Sequence, residues 1–131
     1  MVEEALVEGR VTDAIEFIKT LDAKGLGPTL AAWYLYDDAG AWRLILAGPF
    51  FDALLPSHEL AAYRRVAEAM SESYLSSLSP SDVKLVSTQS SVSKAIHGLI
   101  TTRPDSLSHA YFSSNYVNNI FIKEMIVLRC A

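Results

Sequence analysis

The hydrophobic positions of this chain repeat with a helical period over residues 2–23. Apolar side chains recur near three- and four-residue spacing, at Leu6, Ala14, Ile15, Ile18 and Leu21. That spacing lines one side of an α-helix, so the segment predicts a helix with one buried face. The sequence Gly25-Leu26-Gly27-Pro28 ends it, because glycine and proline interrupt helices.

Two β-hairpins follow from a different pattern, in which aromatic and β-branched residues crowd short segments on either side of a turn. The first hairpin joins residues 30–36 to residues 41–47 through Asp37-Asp38-Ala39-Gly40. The second joins residues 109–117 to residues 120–129 through Asn118-Asn119. Asparagine adopts positive φ more readily than most residues with side chains, so this pair predicts a tight primed turn.

Two more helices and a short strand are predicted between the hairpins. Ser57 is expected to cap the longer helix. Its apolar stripe repeats every three or four residues, at Leu60, Tyr63, Val66, Ala67, Met70, Tyr74 and Leu78. A break at Ser79-Pro80 precedes a predicted strand over residues 83–88, and Ser90 or Ser91 then caps a second helix. The stripe of that helix is Val92, Ala95, Ile96, Leu99 and Ile100.

The predicted element order is α-β-β-α-β-α-β-β, in a single α+β domain that spans residues 1–131. Hairpins supply antiparallel pairs, and helical crossovers join parallel strands. We therefore expect a mixed or antiparallel sheet of about five strands with helices packed mainly on one face. The pattern leaves the strand order open.

Composition narrows the class of protein. The net charge is −4, which argues against nucleic-acid binding because phosphate contacts need a basic surface. Half of the residues are hydrophobic, yet no apolar run approaches the roughly 20 residues that span a bilayer. One cysteine, Cys130, excludes a disulfide within the chain, and the acidic start Met1-Val2-Glu3-Glu4 lacks a signal-peptide pattern. We expect a cytoplasmic protein that binds neither nucleic acid nor membranes.

Several of these segments resemble a family of small bacterial proteins that has no established activity. The resemblance lies in the first hairpin, in the strand at residues 82–87 and in the tail at residues 112–129, and it covers most of residues 30–130. The tail of that family typically carries an Asn-Gly turn and an acidic strand that ends in Tyr-Arg. Here Asn119 takes the glycine position, Lys123 an acidic position and Leu128 the tyrosine position. The resemblance implies the fold and carries over no functional residue.

Candidate chemistry is sparse along the chain. His58, His97 and His109 make no metal-binding spacing, and the serines at residues 87–91 are typical of turns and helix caps. Cys130 has no neighbouring base in the sequence to activate its thiol. The sequence therefore predicts no catalytic, metal-binding or cofactor-binding residue, and it favours a non-enzymatic role.

One alternative is a small-molecule pocket or an enzyme of unrecognised type near Glu124 and Arg43. On regular alternation Glu124 shares a strand face with Ile122, Ile126 and Leu128, and Arg43 shares one with Ile45. A carboxylate among apolar residues is paired, lies at a rim or is functional, and a paired or rim carboxylate is the commoner case.

The favoured hypothesis is a self-associating protein-interaction module. Strand 120–129 is apolar on both alternations, and a strand of that kind is covered on both faces. Three helices suffice for one side of the sheet, so a second copy of the chain is expected to cover the other by twofold symmetry. The predicted interface residues are Trp33, Trp42, Phe121, Met125 and Val127. The alternative is a monomer in which the first helix crosses to the second face. Another protein is a further candidate partner of such an interaction module.

Overall fold

The computed structural model describes residues 8–36, 41–73, 75, 77–104 and 106–131. Within them the chain forms four α-helices and five strands in the predicted order, with one additional short helix after the first hairpin. The helices are α1 (Glu8–Ala23), α2 (Pro49–Asp52), α3 (Glu59–Ser71) and α4 (Ser91–His97). The strands are β1 (Leu30–Tyr36), β2 (Ala41–Ala47), β3 (Val83–Leu85), β4 (Ala110–Val117) and β5 (Ile120–Cys130).

The five described strands form one mixed sheet in the order β3-β2-β1-β5-β4. β1 pairs antiparallel with both β2 and β5, and β4 pairs antiparallel with β5. β2 and β3 run parallel because α2 and α3 carry the chain back between them. The predicted α+β architecture is confirmed. The strand order places the last strand, β5, beside the first.

The sheet has an apolar cluster on each face. The first face, defined by Trp33, Leu44 and Leu128, packs against α1, α2 and α3. The second face, defined by Ile45 and Val127, packs against α4 through Ile96 and its partly buried neighbours. Three of the four described helices therefore share one face, as expected, and the helix that covers the other face is α4 rather than α1.

α3 is shorter than its predicted stripe. The helix begins after His58, which makes no side-chain cap hydrogen bond, so the expected Ser57 cap is wrong. Val66 and Met70 are buried as predicted, whereas Leu60 is exposed. Leu78 is buried in the first cluster but lies beyond the end of the helix, and Tyr74 is outside the described residues.

The turns follow the sequence where they are described. Asn118 and Asn119 both have positive φ, 50° and 65°, which is the pattern of a type I′ hairpin turn. Ser90 is the cap of α4, because its hydroxyl oxygen accepts the backbone N–H of Ser93 at 3.3 Å. The first hairpin's turn, at residues 37–40, lies outside the described residues. No described helix is long and apolar enough to cross a membrane.

A β-bulge near the end of β5 changes which residues face the helices. Ala31 pairs with Arg129 and Ala32 pairs with Val127, so Leu128 is the additional residue on β5. The bulge places Arg129 on the first face together with Leu128. There Arg129 donates two hydrogen bonds of 2.9 Å to the carboxylate of Asp22, near the end of α1. The buried guanidinium thereby ties the end of the sheet to α1.

Candidate functional site

The β4–β5 hairpin projects beyond the central sheet. β1 pairs with β5 only between Met125 and Cys130, so the rest of β5 pairs with β4 alone among the described strands. We call residues 113–124 the hairpin arm. Both faces of a two-stranded arm are open, so each face is either packed against another element or exposed to solvent.

One face of the hairpin arm packs against α4. Ile120 and Ile122 belong to the second apolar cluster, in which Ile122 is fully buried. The helix end approaches the arm closely, because a methyl group placed on Gly98 would come within 3.2 Å of Val117 Cγ1. The arm is therefore fixed by packing on α4, and the side chains on its other face are presented from a supported backbone.

The strand faces change within the arm. Ile122 and Met125 are three residues apart, so regular alternation would separate them, yet both lie in the second cluster. Ser114 lies between the register pairs Ser113–Glu124 and Asn115–Ile122, and its φ of 53° departs from extended backbone. This irregularity accompanies the change of face. The expected grouping of Ile122 with Ile126 and Leu128 is therefore wrong.

Three exposed aromatic residues lie on the side of the β4–β5 hairpin that faces away from α4. Phe121 lies between Ile120 and Ile122, so it points away from α4, and Tyr116 is its cross-strand partner. Tyr111 pairs with Ile126, which belongs to the first cluster, so the Tyr111 side chain projects to the same side of the sheet as Phe121 and Tyr116. The exposed fractions are 56% for Tyr111, 71% for Tyr116 and 49% for Phe121. We call these three residues the aromatic face.

Glu124 lies at the edge of the aromatic face. The hydroxyl of Tyr111 donates a 2.9 Å hydrogen bond to Oε1 of Glu124. That bond, with a smaller contribution from desolvation, raises the pKa of Tyr111. The carboxylate therefore orients an exposed tyrosine ring.

The two residues of the predicted polar pocket lie on opposite faces of the sheet. Arg43 pairs with Tyr34 of the second cluster, whereas Glu124 bonds to Tyr111 on the first-face side. The half-buried ring of Tyr36 lies near Arg43. Desolvation and the neighbouring Tyr34 raise the pKa of Tyr36 to about 12, and Arg43 only partly opposes them. Arg43 and Glu124 therefore do not converge on a shared pocket.

Four of the five predicted interface residues are core residues of the chain. Trp33 and Trp42 are buried under the helices of the first face, and Met125 and Val127 are buried in the second cluster. Phe121 is the one among the five that reaches solvent. The sequence pattern placed Tyr111 and Tyr116 in the same hairpin, but alternation alone did not indicate which aromatic residues the helices would cover.

The remaining candidate residues form no metal-binding group in the described structure. His58, His97 and His109 are exposed. Among the described residues, no group of three or more His, Cys, Asp or Glu side chains is placed to hold a metal ion. Cys130 is buried, and desolvation raises its pKa to about 11, so the side chain stays a neutral thiol near pH 7.

Comparisons with protein-family models, with curated proteins and with solved structures find no match. The function is therefore inferred from the geometry of the chain. Among the described residues, the aromatic face holds three of the four exposed large hydrophobic side chains.

Proposed function

We propose that this protein is a non-enzymatic, self-associating interaction module whose aromatic face binds a second copy of the chain. The observation that carries the proposal is the exposure of three aromatic side chains on one side of the β4–β5 hairpin. Of the four large hydrophobic side chains exposed in the described residues, three form the aromatic face. Contiguous exposed apolar patches on soluble proteins commonly mark interaction sites.

The size of the aromatic face suits a twofold dimer. A fully buried aromatic side chain removes roughly 150–250 Å² from water, so six half-exposed rings from two copies bring together about 600 Å². The smallest specific interfaces bury roughly 1,200 Å², and flanking parts of the hairpin arm supply the remainder. A second copy offers the same patch about a twofold axis, which makes it a complementary partner.

The face of the arm is a better surface for association than its edge. β4 is an edge strand among the described strands, and edge strands can pair with another chain. The positive φ of Ser114 interrupts the extended backbone in the middle of β4. Such an irregularity disfavours continuous pairing along the edge. We therefore place the contact on the aromatic rings.

Two matched lysine substitutions test this assignment. Phe121→Lys introduces a charge into the proposed interface, and Leu60→Lys introduces the same charge at an exposed position on α3. We expect the Phe121 variant to sediment as a folded monomer, with a circular dichroism spectrum like that of the parent, and the Leu60 variant to remain dimeric. A dimeric Phe121→Lys protein would contradict the proposal, as would equal dissociation of both variants.

A further inference from the structure

Tyr111 lies apart from the other two members of the aromatic face. Tyr116 and Phe121 are direct cross-strand partners near the tip of the hairpin arm. Tyr111 precedes Tyr116 by five residues on β4, which corresponds to roughly 17 Å along an extended strand. If the Tyr111 ring were unrestrained, the three rings would therefore form two separate patches.

A hydrogen bond directs the Tyr111 side chain toward the hairpin arm. Its hydroxyl donates to Oε1 of Glu124 at 2.9 Å. The cross-strand partner of Glu124 is Ser113, whereas that of Tyr111 is Ile126, so the acceptor lies two register positions closer to the tip. Diagonal cross-strand neighbours of this kind are within reach of aromatic and long side chains. The Tyr111 ring therefore leans along β4 toward Tyr116.

Ser113 supplies a second contact at the same level of the strand. The hydrogen bond to Glu124 is the main cause that raises the pKa of Tyr111, and a hydrogen bond to the side chain of Ser113 acts in the opposite direction. The Tyr111 hydroxyl therefore stays protonated near pH 7 and able to donate. Two side chains at one register position thus hold the end of the Tyr111 side chain.

The carboxylate of Glu124 has little other use in the described structure. It forms no ion pair with a described residue. Its bond to Tyr111 is exposed to solvent. Water can replace an exposed hydrogen bond, so the bond contributes little to the stability of the folded chain. Substitutions of Glu124 should therefore leave the fold intact.

We propose that Glu124 is a positioning residue for self-association, which holds the Tyr111 ring so that the three rings of the aromatic face present one surface to the second copy. This inference rests on the proposed function. Holding a side chain in place before association reduces the conformational entropy that is lost on binding, so the complex is strengthened without an additional contact. A twofold dimer contains the Tyr111–Glu124 pair twice, which doubles the effect.

Sedimentation equilibrium of the full chain at micromolar concentrations tests the proposal through the dimer dissociation constant. We expect Glu124→Ala and Tyr111→Phe each to raise this constant at least about fivefold, because each substitution frees two rings per dimer. Glu124→Gln keeps a side-chain acceptor oxygen, so its constant should stay within about twofold of the parent value.

Tyr116→Phe is the matched control for Tyr111→Phe. Tyr116 is also exposed on the aromatic face, but its hydroxyl makes no hydrogen bond to a described residue. We expect this variant to dimerise like the parent. The double variant Tyr111→Phe/Glu124→Ala should dissociate no more readily than either single variant, because both substitutions remove the same bond.

Three results would overturn the positioning role while the parent protein is dimeric. They are an unchanged constant in Glu124→Ala, equal weakening by alanine and glutamine at residue 124, and equal weakening by the two phenylalanine substitutions. Each of these would leave the proposed function standing. A parent protein that stays monomeric would overturn the proposed function and the positioning role together.

Discussion

At the scale of single residues, Asn118 and Asn119 define the reversal of the last hairpin. Both have positive φ, which costs a residue with a branched side chain about 1–2 kcal/mol. We expect Asn119→Gly to be neutral or stabilising and Asn119→Val to lower the free energy of unfolding by about that amount. Urea denaturation measures both. A tolerated valine together with a harmful glycine would contradict the turn assignment.

Arg129 makes a dense set of interactions at a single buried position. Besides its pairing with Asp22, its guanidinium donates to the carbonyl oxygens of Pro28 and Ser106 at 3.1 and 3.0 Å. We expect Arg129→Met to lower the free energy of unfolding by about 3 kcal/mol, because the partners lose their donor. This is the lower end for buried pairs, since the Asp22 side chain is 39% exposed.

A surface ion pair provides the control for Arg129. Lys19 and Glu16 pair at 3.5 Å with both side chains exposed. Lys19→Met should change the free energy of unfolding by less than about 0.5 kcal/mol, because water already solvates both charges. Equal effects of the two methionine substitutions in urea denaturation would refute a structural role for the buried guanidinium.

The sequence predicted the asparagine turn but not the position of Arg129. The turn depends on local backbone preference, which residue type reveals. Arg129 faces α1 only because a bulge at Leu128 shifts the alternation by one residue. That bulge depends on pairing with β1, about 100 residues earlier in the chain.

At the scale of elements, α3 shows what helical periodicity captures. Val66 and Met70 face the sheet as predicted, together with the small residues Ala62 and Ala69. Leu60 is exposed because roughly 100° per residue places it about 120° around the helix from Val66. The predicted stripe includes Ala67 but leaves out Ala62 and Ala69, two buried alanines that allow the helix to approach the sheet.

Charges introduced into this helix face should prevent folding. Val66→Asp and Met70→Asp would each bury a carboxylate without a partner, at a cost of several kcal/mol against a total stability of about 5–15 kcal/mol. We expect both variants to be insoluble or to lack a cooperative thermal transition. Arg65→Ala, on the exposed side, should melt close to the parent temperature. Cooperative melting of both aspartate variants would contradict the burial of this face.

The last hairpin shows where strand periodicity stops being sufficient. Alternation predicted two apolar faces for β5, and both are covered over the part that pairs with β1. Within the hairpin arm the irregularity at Ser114 changes the faces, and Phe121 becomes exposed. Serine in a strand carries no sequence signal for such a change, so the aromatic face required the three-dimensional structure.

At the scale of the whole molecule, the element order and the mixed sheet were predictable because hairpins and helices leave strong local patterns. The covering of the second face was not. The short helix α4 packs there together with the hairpin arm, so the chain buries Met125 and Val127 without a partner. The proposed dimer therefore depends on the aromatic face, because the central sheet is covered on both faces within the described residues.

The mass of the protein in solution decides whether the chain self-associates. We predict that light scattering on the purified chain at micromolar concentrations gives twice the chain mass of 14.4 kDa, with dissociation on dilution. The aromatic face would then be shielded from water in the associated form. A single species of 14.4 kDa at every micromolar concentration would contradict the account.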